Sequence, residues 1–385
     1  MIEFDLNDDN KMLQSLVERF VQERYGADER RQYQSNPEGF DPQNWSMLGE
    51  LGLIATAFDE ADGGFASDVK SVMVLFEVLG RGLVCEPLIE SIYEAGVLFA
   101  LTARPELRTS WMDAIMSGEK RLALAHVETQ MRDNLSYVEM RAEISGDGFS
   151  LTGCKSLVPA GVHADGYIVS ALLPDTPPDA LRGKNMALFF VPAGSKGLQV
   201  TPYRLVDGSA ACRLDFDAVA VPANMQLDAA DASGWEAYLT VRERADVARC
   251  AEALGIMERI FAATIEHLQT RRQFGQPLAN FQALQHRMVE QYVAMNEARA
   301  LLNKLTAVKP NGDTGFRKLI SGARAFIAEA SVALGHEVIQ LNGGMGVSDE
   351  VVVGQGHKRI MFLARYPTTA DLSLDIYAGI TPVHD

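Results

Sequence analysis

The succession of hydrophobic periodicities constrains this chain more than any other feature: a helical block, a block of short strands, then helices to the end. From about residue 8 to 120, Met12, Leu13, Leu16, Val17, Phe20 and Val21 recur at three- and four-residue spacing, the mark of an amphipathic helix. Ser71–Leu83 is apolar on almost every side, as a buried helix is. Between them Asp59–Phe65 (DEADGGF) is a turn-rich acidic loop. From about Arg121 to Leu227 the texture changes. Runs such as GFSLTGCKSLV, GYIVSALL, MALFFVPA and CRLDFDAVAV, punctuated by Gly, Pro and Asp, predict strands of an antiparallel sheet or barrel. Helical patterning returns over Ala237–Arg271, Phe281–Val308 and Asp313–Gln340, and Asn342–Asp349 (NGGMGVSD) interrupts it as a loop.

This order predicts an α+β fold in three segments: a helical 1–120, a β-rich 121–230 and a helical 231–385. A doubly wound sheet alternates strands with helices, and no G-x-G-x-x-G follows a strand here, so a Rossmann site is unsupported. With 385 residues, 47% of them hydrophobic, the chain has ample material for a core. Its net charge of −16 argues against non-specific nucleic-acid binding, which needs Lys and Arg to neutralise phosphates. A local basic pocket for a phosphorylated cofactor stays open. Cys85, Cys154, Cys212 and Cys250 lie far apart, with no C-x-x-C and no Cys/His cluster, so neither a metal site nor a disulfide framework is expected. The opening MIEFDLNDDN is acidic where a signal peptide is basic and then apolar. No apolar run reaches the roughly 18 residues of a membrane span. The expected location is the cytoplasm.

Two segments carry a resemblance. One is Thr270–Gln282, TRRQFGQPLANFQ; the other, about seventy residues on, is Gln340–Gly346, QLNGGMG. With Glu50–Gly64 (ELGL to DGG) they make the chain resemble the acyl-CoA dehydrogenase family over nearly its whole length, most closely the subfamily handling dicarboxylic or steroid-derived acyl chains. The resemblance implies a helical N-terminal domain, a central antiparallel β-barrel or sheet and a C-terminal four-helix bundle. It also implies FAD lying between subunits, an acyl-CoA substrate and an electron-transfer flavoprotein as acceptor. The assembly it implies is a homo- or hetero-oligomer, in some members pairing two different dehydrogenase subunits.

Carried over residue by residue, Arg271 reaches the cofactor pyrophosphate of a neighbouring subunit, a task that suits its planar fork of donors. Read without the motif, Arg271 is equally a helix-end cation facing the dipole. Phe274 packs beside the adenosine half, Gln340 bonds in the same region, and Gly344 lets backbone come close. In Ala125-His126-Val127-Glu128, Val127 stands for the threonine of a Thr-Glu-Pro strand whose amides bond the flavin. In Gly153–Pro159 (GCKSLVP), Leu157 stands for a tryptophan and Pro159 for a threonine. His126 is expected to be a hydrogen-bonded core residue.

The family's base is the glutamate of a Tyr-Glu-Gly-Thr loop. The matching run is Tyr366-Pro367-Thr368-Thr369, so Thr369 is retained as a cofactor contact while Pro367 replaces the base. Other members place the base on a helix about 26 residues before the motif arginine, which here is Ala245; its neighbour Asp246 is the candidate, with Glu243 and Asp371 behind it. For each acid a salt bridge to Arg242, Arg244 or Arg249 is the alternative. Two readings follow: a dehydrogenase with an atypical base, or a partner subunit lending cofactor contacts to a different catalytic chain. A flavoprotein of this fold using oxygen or nitro compounds is the remote third.

Overall fold

The computed structural model describes residues 6–174, 176, 185–227, 234–308 and 314–380. The first five residues of the acidic N-terminus, and Asp313, where a helix was expected to begin, lie outside them. Packing groups the chain into two units. One comprises Tyr33–Ser67 and Cys85–Ala245; the other comprises Met1–Gln32, Asp68–Val84 and Asp246–His384. Eleven α-helices are described: α1 (Asp8–Arg24), α2 (Ala27–Ser35), α3 (Pro42–Glu50), α4 (Val69–Gly82), α5 (Val97–Thr102), α6 (Pro105–Met116), α7 (Gly234–Thr270), α8 (Gln282–Lys304), α9 (Thr314–Asn342), α10 (Val352–Leu363) and α11 (Ala370–Ala378). A π-helix, Ile89–Gly96, runs directly into α5.

The strands are β1 (Leu122–Ala125), β2 (Arg141–Ser145), β3 (Gly148–Pro159), β4 (Gly166–Leu172), β5 (Met186–Pro192), β6 (Leu198–Arg204), β7 (Ala210–Pro222) and β8 (Gln226–Leu227), with a hairpin of β9 (Arg272–Gln273) and β10 (Gln276–Pro277). The first eight form one sheet in the order β6-β7-β3-β2-β4-β5-β8, with β1 paired on β4. The expected antiparallel pattern holds for β2–β3, β3–β7, β4–β5, β5–β8 and β6–β7, but β1 runs parallel to β4, and β2 touches β4 in parallel at Arg141–Leu172. A parallel pair needs a long crossover, and the β2–β3 hairpin lies within the one joining β1 to β4. The core between strands is Leu151, Val158, Val169, Phe189, Leu214, Val219 and their neighbours.

In the helical unit, α4 and α7 approach backbone to backbone. A Cβ on Gly255 would stand 2.1 Å from the Glu77 carbonyl oxygen, and one on Gly80 would stand 2.3 Å from that of Glu252. Charges lace the rim of this contact. Arg81 bonds Glu258 at 3.1 Å, and Arg299 reaches Glu77 at 3.1 Å and also pairs with Glu258. Burial raises the Glu77 carboxyl above the ordinary range, with Arg299 opposing. Asp68 caps α4 and Thr369 caps α11, each accepting from the amide three residues on. No helix among the described residues is long and apolar enough to cross a membrane.

Candidate functional site

The end of α7 turns through the β9–β10 hairpin into α8. Leu268 of α7, Leu278 after the hairpin, Met288 and Leu284 of α8 and Leu341 of α9 share one apolar cluster. Asn342 ties the same end together by donating to Thr264 at 3.0 Å. The cluster therefore brings Arg271 and Phe274 to the same end of the helices as Gln340 and Gly344. All four are exposed. Phe274 is 90% exposed at φ 51°, an unusual posture for a large apolar residue, with the Phe281 ring edge-on at 6.2 Å. The Arg271 guanidinium makes no ion pair among the described residues, and a Cβ on Gly344 would meet nothing within 4 Å. A fork of donors, an aromatic face and an open glycine at one surface suit a nucleotide pyrophosphate. Thr369 belongs to a different level. It adjoins the loop held by Arg324, which precedes Gln340 by about 24 Å along α9.

That loop follows α10. Pro367 and Thr368 are buried, and the Tyr366–Pro367 peptide is cis. Asp246, 3% exposed, lies between two guanidiniums: Arg249 at 3.1 Å and Arg324 at 3.4 Å. Asp371 is exposed in the first turn of α11, where the helix dipole favours an acid. Glu243 is buried in the sheet-containing unit.

In the sheet-containing unit, the register of β3 against β7 shifts between Lys155 and Val158. This irregularity turns Leu157 away from β7 and pairs it with Val127 in an antiparallel bridge, while the Ser156 amide donates to the Val127 carbonyl at 2.9 Å. The two strand segments that the resemblance assigns to the flavin are thus neighbours. Their side chains offer it little: Val127 and Leu157 are apolar, and Pro159 has no N–H.

Beneath them lies a polar network in which Lys155 and Glu128, not singled out from the sequence, join His126 through Ser170. Lys155 is fully buried and donates to Glu128 at 2.6 Å and Ser170 at 2.9 Å. Glu128 also accepts from the Glu139 and Met140 amides. His126 bonds Ser170 at 2.9 Å and the Leu135 carbonyl at 2.8 Å, so it is the hydrogen-bonded core histidine expected. Burial, with Lys155 beside it, pushes the His126 imidazole down to about 3, so it is neutral. Burial also lowers Lys155, and Glu128 opposes that shift. The available signal was a lysine in the middle of an apolar strand.

An outward arginine–aromatic hairpin beside a glycine-rich helix end fits a protein that holds a phosphorylated cofactor at its surface. Comparison with known proteins narrows the class. The chain matches the acyl-CoA dehydrogenase N-terminal domain over residues 7–119 and the acyl-CoA dehydrogenase C-terminal domain over residues 232–377. It is 26% identical to acyl-CoA dehydrogenase FadE27 of Mycobacterium tuberculosis, over 88% of this chain and 87% of that one. It is 24% identical to the human mitochondrial short-chain specific acyl-CoA dehydrogenase, over 86% and 80%. Among solved structures, the Tcur3481-Tcur3483 steroid ACAD superposes with a TM-score of 0.84 at 25% identity, covering 97% of each chain. The chain belongs to the acyl-CoA dehydrogenase family, FAD-binding oxidoreductases that act on the CH–CH group of an acyl-CoA.

Proposed function

We propose that this chain is the supporting half of a heteromeric FAD-dependent acyl-CoA dehydrogenase, an enzyme converting an acyl-CoA thioester to its trans-2-enoyl-CoA. One observation carries the reading: Pro367 stands where a proton-accepting carboxylate is expected, and the candidate in its stead, Asp246, already faces Arg249 and Arg324. A general base must present a lone pair to the substrate proton, and two cations compete for those of Asp246. Bound FAD supplies the acceptor for the β-hydride. This chain's part would be to lend contacts: Arg271 would meet the pyrophosphate and Phe274 the adenosine half of a neighbouring subunit's FAD, with Gln340 and Gly344 beside them. Val127, in the sheet-containing unit, and Thr369, at the start of α11, are proposed as separate cofactor contacts.

The exposure of Phe274 supports a partner subunit over that surface, and the name of the Tcur3481-Tcur3483 steroid ACAD joins two components. A steroid-derived or dicarboxylic acyl chain is the substrate class, an electron-transfer flavoprotein the acceptor, and the cytoplasm the location. The burial of Asp246 favours the second reading, a self-sufficient dehydrogenase with Asp246 as a desolvated base. Exchange of the acyl-CoA α-proton in deuterated water separates the two. The chain alone, given excess FAD, is expected to show none above background, with exchange appearing once a second dehydrogenase subunit is added. Exchange by the chain alone, abolished in Asp246→Asn, would establish the second reading.

A further inference from the structure

Arg324 lies in the middle of α9 and is 2% exposed. Its Nη2 donates to the carbonyls of Leu363 at 3.1 Å, Tyr366 at 2.7 Å and Thr368 at 3.0 Å, and its Nε lies 3.4 Å from the Thr368 hydroxyl. Leu363 ends α10, and the carbonyls of a last helical turn have no partner within their own helix. One guanidinium thus satisfies main-chain acceptors on both sides of Pro367 that water does not reach. Arg249 holds the same loop by a different surface. Its guanidinium carbon lies 5.3 Å from the centre of the Tyr366 ring, which stacks on Phe362 at 5.2 Å and 11°.

Two buried cations this close repel unless an anion lies between them. Asp246 is that anion, with the same oxygen 3.1 Å from Arg249 and 3.4 Å from Arg324. Cys250 beside them adds no charge, because burial pushes its thiol up to about 12.

We infer that Arg324 and Asp246 are positioning residues: Arg324 is a strut fixing the Tyr366–Thr369 loop, and Asp246 is its counterion. The loop's path then depends on this ion pair and not on a carboxylate at position 367, and the strut sets where Thr369 stands at the start of α11. The role given to Asp246 rests on the supporting-subunit reading; the strut stands on the geometry of one unit.

Amide hydrogen exchange on the assembled complex, resolved by peptide, tests it. Asp246→Asn and Arg324→Lys are each expected to speed exchange over residues 364–372 by about tenfold or more, with peptides of β3 and β7 unchanged. The double variant is expected to speed exchange by clearly less than the product of the two single effects, because the two residues share one ion pair. Asp246→Glu, which keeps the charge, is expected to restore most of the protection. Wild-type rates over 364–372 in Arg324→Lys, or additive effects in the double variant, would overturn the strut. Should Asp246→Asn fail to purify, Arg324→Lys and Asp246→Glu decide alone. Amide exchange does not register whether this chain takes a substrate proton, so failure of the strut is distinguishable from failure of the supporting-subunit reading.

Discussion

Arg271→Ala is expected to lose most of the FAD from the assembled enzyme while leaving the melting temperature nearly unchanged. The residue is exposed at the turn out of α7, and its side chain holds no other part of this chain by an ion pair among the described residues. Folding therefore loses little when it goes. Cofactor binding loses a bidentate, charge-assisted contact worth about 1.5–3 kcal/mol, or roughly 10- to 150-fold in affinity. The check is the flavin-to-protein absorbance ratio after gel filtration of the co-expressed pair. Full retention of flavin would remove Arg271 from the cofactor site.

The second large effect concerns stability. Lys155→Met strips the partner from a buried carboxylate, and breaking a buried ion pair from one side costs about 3–5 kcal/mol. The Glu139 and Met140 amides still hold Glu128, which puts the expected loss near the lower end of that range. Lys155→Met combined with Glu128→Gln is expected to cost less than Lys155→Met alone, because no uncompensated charge remains. Urea unfolding of the four-member cycle measures the coupling. A single variant as stable as the parent would mean that water reaches Glu128.

The sequence was most legible where structure is local. The change from helical to alternating periodicity near Arg121 marks the start of the sheet, since β1 begins at Leu122. The punctuated runs become β3, β4, β5 and β7 almost as written. The parallel β1–β4 pairing was not legible, because nothing within β1 says which distant strand it joins. The π-helix at Ile89–Gly96 was also missed, since its apolar pattern reads as an ordinary helix. For Asp246, the alternative of a salt bridge to nearby Arg249 is what the fold contains. Arg324, on another helix, gave no local sign that it would join them. The segments holding Arg271, Phe274, Gln340 and Gly344 were legible as a motif, and packing at Leu268, Leu278 and Leu341 explains why two segments so far apart in sequence meet.

We propose that this chain holds FAD with a partner rather than by itself. Flavin stoichiometry by absorbance tests it most directly, on the chain expressed alone and on the chain co-expressed with a second acyl-CoA dehydrogenase subunit. Little or no FAD is expected on the chain alone, and about one FAD per pair of chains on co-expression. One FAD per chain alone, bleached on addition of an acyl-CoA, would contradict it.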